Sequence, residues 1–509
     1  MKELNFNINN ELLDKYFILN SNYILRSDIN RIILAASGSK DFDKIAQENL
    51  ATFIHPIHAM MLSFLKGDKT LKENLAEMAF FFDLSIESTY NLIAKFIGNE
   101  KRVVVEYDNN FFYFPPKVLV EYENNFPFRT YTVHDFNLKV ALDFETARYN
   151  IPIEASILLN NRCVTDCVYC YADKRHIYDC KIPFDRLVEI IDETKRLGFR
   201  NIDIQGGELF LYEHWYELLK ELFKAKYSVY ISTKCPLSIK QVKQLKELGV
   251  KEIQVSLDSI FIDDLKTNLK VNDNYGLNII NTIKILNENN FRIKLKPVIS
   301  SFIFNIKRME QYIDYFKQFK NIFIIEFTAP AHSMYKTQEQ FFSYRLTSKN
   351  IKEIKELVLR KNDECHFKVT ADVSVEDKVI NQSFEVKKVN FAKRSRCTGN
   401  QSSFLILPNG DVTLCEKAYF NSNLIFGNIL ESSIMDVWNS KKAKDLFYIS
   451  QSVFPERSPC SSCPEFTECR YNLGVCWVDA MAAYGEENWL YPVPNCPYAP
   501  TPKYLTYCE

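Results

Sequence analysis

Cysteine is the residue whose placement in this chain carries chemistry. Cys163-Val164-Thr165-Asp166-Cys167-Val168-Tyr169-Cys170 sets three thiols at CxxxCxxC spacing. Three thiolates can hold three irons of a [4Fe-4S] cube and leave the fourth without a protein ligand, which makes that corner a place for chemistry. The same three thiols with His176 would also satisfy a zinc ion. A second concentration lies near the C-terminus, with Cys397, Cys415, the Cys460-Ser461-Ser462-Cys463 pair, Cys469, Cys476 and Cys496. CxxC pairs there suit four-thiolate zinc as well as iron–sulfur clusters. Cys180, Cys235 and Cys365 stand at no ligand spacing and read as buried thiols. His55 and His58 lack a partner pattern, so helix entry or packing is the expected role.

These residues need elements to position them. Between 151 and 330 strands alternate with helices, with strands expected at 154–159, 201–205, 227–232, 252–257, 292–298 and 322–327. Helices are expected near 184–197, 212–225, 238–248, 276–289 and 307–319. That alternation predicts an α/β fold with a parallel sheet, and right-handed connections favour a full or partial barrel with its site at the strands' C-terminal edge. The cysteine triplet follows the first of these strands. The second runs into Gly206-Gly207-Glu208, where paired glycines let backbone groups approach a ligand and the carboxylate can accept from an amine. Glu326, late in the sixth strand, is a candidate for substrate contact. Residues 331–395 form a connecting region without clear periodicity, and 396–509 is cysteine-rich and loop-like.

Residues 1–115 read as a separate module of short strands at 15–19, 23–26 and 31–35 followed by helices. Pro56 opens a helical stripe closed by Gly67-Asp68, Thr70 with Glu73 has the form of a capping box, and Ser85 with Ser88 opens a third helix. Residues 103–107 and 111–114, joined through Asp108-Asn109-Asn110, predict a wing-like hairpin. Pro115-Pro116 marks the end of the module, with a bridging segment at 116–150.

Over the 509 residues, 63 Lys plus Arg stand against 64 Asp plus Glu, a net charge of −1 that argues against a general polyanion binder. No segment reaches the roughly 18 uncharged apolar residues of a membrane span, and Met1 to Asn7 does not read as a secretory signal. A cytoplasmic protein is expected, and a reducing compartment makes the 14 cysteines metal ligands or redox groups sooner than disulfides.

With Tyr169 before the last cysteine of the triplet and Gly-Gly-Glu ending the second strand, the chain resembles the radical S-adenosylmethionine enzymes. The resemblance implies a partial (β/α)6 TIM-like barrel, a [4Fe-4S] cluster on Cys163, Cys167 and Cys170, and S-adenosylmethionine bound at its open iron. Gly206, Gly207 and Glu208 then correspond to the segment that meets the cofactor's amino group. Ser256 and Asp258, in Val255-Ser256-Leu257-Asp258-Ser259, correspond to the ribose-contact region, although Ser-x-Asp equally suits a strand exit or helix cap. In that family one electron, from a donor such as flavodoxin or ferredoxin, cleaves the sulfonium to a 5′-deoxyadenosyl radical that abstracts hydrogen from an unactivated carbon.

The C-terminal cysteines resemble the SPASM domain of radical peptide maturases, as do Leu407-Pro408-Asn409-Gly410-Asp411-Val412, Phe426-Gly427-Asn428-Ile429-Leu430 and Ile434-Met435-Asp436-Val437-Trp438. This implies two auxiliary [4Fe-4S] clusters, one on Cys460, Cys463, Cys469 and Cys496 and one with three corners on Cys397, Cys415 and Cys476. Its fourth corner falls to Cys508 or stays open to a substrate thiolate. One departure stands out: six residues separate Cys469 from Cys476 where the family has three, so an insertion is required.

Beside such a core, residues 1–115 resemble a RiPP recognition element, the winged domain that binds the leader of a ribosomally made precursor peptide. The correspondence rests on Tyr23-Ile24-Leu25-Arg26-Ser27-Asp28, Ile54-His55-Pro56-Ile57-His58-Ala59 and Gly67-Asp68-Lys69-Thr70. A leader can add as a strand to a sheet edge, here expected at 31–35 facing the third helix around Ile86, Tyr90, Ile93 and Ile97. A nucleic-acid-binding wing is disfavoured because Lys95 is the only cation on that helix. The function implied is a precursor-peptide maturase. Thioether formation comes first, with carbon–carbon or carbon–oxygen cyclisation and formylglycine-type sulfatase maturation as alternatives, and a zinc-binding scaffold as the reading without turnover.

Overall fold

The computed structural model describes residues 8–37, 51–122, 129–373, 382–418 and 421–504. The Met1 to Asn7 start and Cys508 lie outside them. The chain divides into two compact units, Met1–Ile153 with Leu197–Asn201, and Glu154–Arg196 with Ile202–Glu509. The first unit therefore runs past the boundary expected at 115 and takes in the segment expected to be a bridge.

In the first unit the order is α1 (Asn10–Leu13), β1 (Tyr16–Leu19), β2 (Tyr23–Ser27), β3 (Ile32–Ala36), β4 (Ala51–Ile54), α2 (Pro56–Ser63), β5 (Lys66–Thr70), α3 (Leu71–Phe82), α4 (Ile86–Ala94), β6 (Val103–Tyr107), β7 (Asn110–Phe114) and β8 (Leu119–Glu121). The capping box forms as read: the Thr70 hydroxyl accepts from the Glu73 amide while Glu73 accepts from the Thr70 amide, starting α3. Sheets β5-β1-β8 and β2-β3-β4 and the hairpin β6-β7 surround the helices. The leader-accepting edge expected at 31–35 is corrected here. β3 is the central strand, paired with β2 from Ile32↔Ser27 to Ala36↔Tyr23 and with β4 from Ile32↔Ile54 to Ala35↔Ala51, so its backbone bonds are spent on both sides. All five of its residues are buried. Ile32 and Leu34 share a cluster with Tyr90 and Ile93, and Ile33 and Ala35 pack with Tyr149 and Ile153 on the other face. A strand buried on both faces reads as a continuous apolar run, which is why its sequence does not separate centre from edge.

The second unit opens with β9 (Glu154–Leu158), α5 (Phe184–Arg196), β10 (Asn201–Gln205), α6 (Trp215–Lys224), β11 (Ser232–Thr233), α7 (Ile239–Glu247), β12 (Glu252–Val255), α8 (Ile262–Leu269), α9 (Tyr275–Glu288), β13 (Arg292–Leu295), α10 (Ile306–Phe316) and β14 (Ile322–Thr328). It continues with α11 (Gln338–Tyr344), α12 (Ser348–Asn362), β15 (Lys368–Asp372), α13 (Phe384–Ala392), β16 (Ser403–Ile406), β17 (Asp411–Thr413), β18 (Gly427–Asn428), α14 (Ile434–Trp438), α15 (Lys441–Phe447) and α16 (Trp477–Tyr484). The architecture is the α/β one expected, a partial barrel with a cysteine-rich extension. α5 shows the core one stripe, burying Leu187, Ile190, Ile191 and Thr194.

Three features differ from the sequence expectation. The strand at 227–232 shortens to Ser232–Thr233, its upstream end held instead by the Tyr227 hydroxyl on Thr194 Oγ1 at 3.0 Å. Among the described residues of the second unit the strands form two sheets, β10-β9-β16-β17-β18 and β11-β12-β13-β14-β15. The connecting region supplies β15, parallel to β14, and the cysteine-rich segment supplies β16, parallel to β9 with Ser403 opposite Glu154.

Candidate active site and cysteine cavities

The cysteine triplet lies in the loop after β9. The Asp166 amide donates to Leu269 O at 2.8 Å and the Val168 amide to Asn268 O at 2.9 Å, which fastens the loop to the end of α8, and Cys170 N to Cys167 O at 3.1 Å closes a turn. The Thr165 hydroxyl stands between two thiols, 3.4 Å from Cys163 Sγ and 3.2 Å from Cys167 Sγ. Burial raises the pKa of the Cys167 thiol. The three donors are thus gathered in one short loop, as open-corner ligation requires.

Gly206 and Gly207 pass against this loop backbone to backbone. The Gly207 amide donates to Asn160 O at 2.7 Å, and a Cβ on Gly207 would stand 1.8 Å from Arg162 O, so no side chain fits there. Glu208 follows, 3% exposed. Its carboxylate accepts from Thr233 Oγ1 at 2.9 Å, Lys234 N at 3.1 Å and Phe210 N at 3.3 Å. Burial raises its pKa, opposed by the Thr233 hydroxyl and the amides of Lys234, Phe210 and Cys235.

Asp258 takes a different place from the ribose contact expected of it. One carboxylate oxygen accepts from Lys234 Nζ at 2.9 Å and Val298 N at 3.1 Å, the other from Tyr169 Oη at 2.5 Å and Asn268 Nδ2 at 2.8 Å. Four protein donors thus surround the carboxylate, a role the ribose-contact expectation did not include. The aromatic residue of the CxxxCxxC loop is thereby pinned to the ends of β11, β12 and β13. Ser256 is buried, and its hydroxyl accepts from Gln254 Nε2 at 3.2 Å. Glu326 is held between Lys294 at 3.0 Å and Lys296 at 2.7 Å, which keep its pKa low against burial, so the substrate contact considered for it competes with two ion pairs. Lys234, Asn268, Thr233 and Asn160 all escaped sequence reasoning. Each sits within two residues of a strand or helix end, and only that position signals them.

Farther along, Cys460, Cys463, Cys469 and Cys496 line one cavity, walled by Phe391, Phe466, Val493 and Arg470. The insertion between Cys469 and Cys476 is absorbed by a π-helical turn, Glu468–Leu473, and by Gly474 at φ +72°. Cys397, Cys415 and Cys476 form a second group: burial raises the pKa of Cys415, to about 12, and of Cys476, with the nearby carboxylates Glu416 and Asp479 and then the neighbouring thiols adding to it. Burial raises the pKa of Asp479, three residues past Cys476 on α16, with the Cys476 thiol opposing. Among the described residues no group of three or more His, Cys, Asp or Glu converges tightly enough to hold a single metal ion.

Residues 157–316 match the Radical SAM superfamily and residues 397–464 the iron-sulfur cluster-binding domain SPASM. The chain carries a radical SAM domain and a SPASM domain. S-adenosylmethionine and [4Fe-4S] clusters are accordingly its cofactors, and the triplet loop, the glycine cradle and the four-cysteine cavity fit them. Among solved structures, Streptococcus suis SuiB bound to S-adenosylmethionine aligns over 94% of this chain and 98% of its own, with a TM-score of 0.59 at 14% identity, which establishes a shared fold. The sporulation killing factor maturation protein SkfB of Bacillus subtilis is 24% identical over 289 residues, 56% of this chain and 65% of SkfB. A GTP 3′,8-cyclase of Clostridium perfringens is 28% identical over 151 residues, 28% of this chain, and the match spans less than half, 45%, of the cyclase. Among the described residues no helix is long and apolar enough to cross a membrane.

Proposed function

We propose that this protein is a radical S-adenosylmethionine maturase that modifies a ribosomally synthesised precursor peptide, installing thioether cross-links. The observation that carries the reading is the convergence, at one end of the strands, of the Cys163, Cys167 and Cys170 loop, the Gly206 to Glu208 turn and the Asp258 anchor. Cys163, Cys167 and Cys170 would hold the cluster, and Glu208 would accept from the cofactor's amino group. When bound, cluster and cofactor supply a carbon radical able to take hydrogen from an unactivated carbon. The chain's own task is to fix the triplet loop, orient the cofactor amine and exclude solvent from the strand ends.

Cys460, Cys463, Cys469 and Cys496 would hold one auxiliary cluster, and Cys397, Cys415 and Cys476 three corners of the other. The precursor peptide as partner is supported by SkfB, a maturation protein by name, and by the subtilosin biosynthesis protein AlbA of Bacillus subtilis, 22% identical over 347 residues. A SuiB structure with its precursor peptide SuiA has the same fold at a TM-score of 0.57. The first unit would hold the leader. With β3 internal, the strand would add at β2 or β4, the outer strands of that sheet, and a flavodoxin- or ferredoxin-type protein would supply the electron.

The test is anaerobic reconstitution of the full chain with iron, sulfide, S-adenosylmethionine and a precursor peptide encoded beside it. A product lighter by two hydrogens per bond, with one cysteine no longer alkylated by iodoacetamide, is expected. The same mass loss with every cysteine still alkylated would replace thioether by carbon–carbon or carbon–oxygen linkage, and no S-adenosylmethionine cleavage would end the reading.

A further inference from the structure

The cavity lined by Cys460, Cys463, Cys469 and Cys496 carries cations that the cysteine pattern does not require. Arg470 lies in the inserted π-helical turn and is 5% exposed. Its Nη2 donates to Cys460 Sγ at 3.3 Å and to Tyr491 O at 3.3 Å, and its guanidinium carbon is 4.9 Å from the Phe454 ring centre and 4.8 Å from that of Trp477. Its Nη1 is buried without a hydrogen-bond partner. Arg394 approaches a second thiol of the set: its Nη2 donates to Cys469 Sγ at 3.3 Å, Cys469 O at 3.2 Å and Gly474 O at 2.8 Å, so it grips both ends of the insertion. Its guanidinium carbon lies 3.7 Å from the Phe391 ring centre.

A buried guanidinium is costly unless an anion compensates it. Among the described residues neither arginine has an ion pair with a carboxylate, and the rings around Arg470 offer only their faces. The missing anion is the one the cysteines would supply, since a [4Fe-4S] core on four thiolates bears net negative charge. Hydrogen bonds to ligating sulfurs, together with nearby charge and burial, set the potential of such a centre, and cations favour the more negative, reduced state.

We infer that Arg394 and Arg470 are potential-setting residues that hold the Cys469 and Cys460 sulfurs and raise the reduction potential of the iron–sulfur centre seated among Cys460, Cys463, Cys469 and Cys496. This rests on the assignment of that centre in the proposed function. Arg470 also lines, with Val475, a second cavity that includes Cys397, so the residue that tunes one centre forms a wall toward the cysteines of the other.

The test uses the full chain with Cys163, Cys167 and Cys170 replaced by Ala, so that only auxiliary centres respond, in redox titrations followed by electron paramagnetic resonance. Arg394→Gln and Arg470→Met should each move one auxiliary midpoint to more negative potential at unchanged iron and sulfide content, and Arg470→Lys should restore part of the shift. Arg470→Met keeps the apolar stem against Phe454 and Trp477, so an unmoved midpoint would mean that the arginine merely packs, and would overturn the inference. Should Arg470→Met not fold, Arg394→Gln decides alone, because Arg394 is only partly buried. If iron content does not fall on Cys460→Ala, the centre itself is misassigned, an outcome distinct from a full centre whose potential ignores both arginines.

Discussion

Glu208 shows how one residue combines three environments. Burial pushes its pKa up, hydrogen bonds from the Thr233 hydroxyl and the amides of Lys234, Phe210 and Cys235 pull it down, and in the proposed site it would also meet the cofactor's ammonium group. The sign for ligand binding follows. Above the raised pKa the carboxylate is ionised and would accept from the cofactor amine. As pH falls through that pKa it takes a proton and the charge-assisted bond is lost. Glu208→Gln keeps the shape and removes the charge, which forfeits about 1.5–3 kcal/mol, or roughly ten- to a hundredfold in S-adenosylmethionine affinity. Calorimetric titration of the reconstituted protein should show wild-type affinity weakening toward acid and the variant weak and flat across the same range, with iron content equal in both. Equal affinity would remove Glu208 from the cofactor site. The Gly-Gly-Glu motif was legible because glycine without space for a Cβ and a carboxylate at a strand end leave a short, ordered trace in sequence. The role of Asp258 was not, because its partners Tyr169, Lys234, Asn268 and Val298 come from four separate stretches that only folding brings together.

At the scale of elements, the winged unit carries a titration of its own. His58, on α2, is 3% exposed and rests against the rings of Tyr107, Phe112 and Phe114, with Nδ1 unpartnered. Desolvation first, then Lys95 and His55, lower its pKa to about 3. An unfolded chain takes up a proton near the ordinary 6.5 that the folded unit refuses, so stability is fully present above 6.5, falls as the pH drops below it, and levels off only near 3. Each unit of that window removes about 1.4 kcal/mol at most. Hydrogen-exchange protection of the α2 and β7 peptides in the full chain, corrected for intrinsic rate, should therefore drop between pH 6.5 and 5, and His58→Phe should flatten the dependence. Equal slopes in both proteins would place the acid sensitivity elsewhere. The sequence reading of these two histidines as packing or helix-entry groups matches where they sit: His55 caps α2 by accepting from Ile57 N at 3.2 Å, and His58 fills the space under the wing. Capping boxes and hairpin turns act over three or four residues and were readable. The third strand of the β2-β3-β4 sheet was not, because β4 is recruited by side-by-side pairing with β3 and announces itself only as a short apolar run.

At the scale of the whole chain, the cysteine-rich segment is part of the second unit's sheet as well as its metal-binding end. β16 pairs with β9 from Glu154 to Ile157, some 250 residues earlier in the chain, and β9 leads directly into the CxxxCxxC loop. Arg186 on α5 donates to Ile429 O and Ser432 O at 3.0 Å each, and Glu193 accepts from Ile434 N at 2.8 Å, so α14 is fastened to α5 beside that strand. Pairing across so long a loop has no local signature, which is why the motifs were legible one by one while their joining was not. The structural consequence is testable without any cofactor. A chain ending at 396 would leave one edge of β9 unpaired and the buried Leu405 and Leu407 cluster on Leu158 unfilled, an edge of the kind that promotes aggregation. Restoring residues 397–440 returns β16, β17, β18 and α14 but neither cavity's full cysteine set. The shorter chain should collect in the insoluble fraction or melt well below the full protein, and the 1–440 chain should recover solubility while binding iron only at the triplet. Equal solubility and melting temperature of the 1–396 and full-length proteins would show that β9 closes the sheet unaided, and the SPASM segment would then be an appendage to the barrel in place of one of its walls.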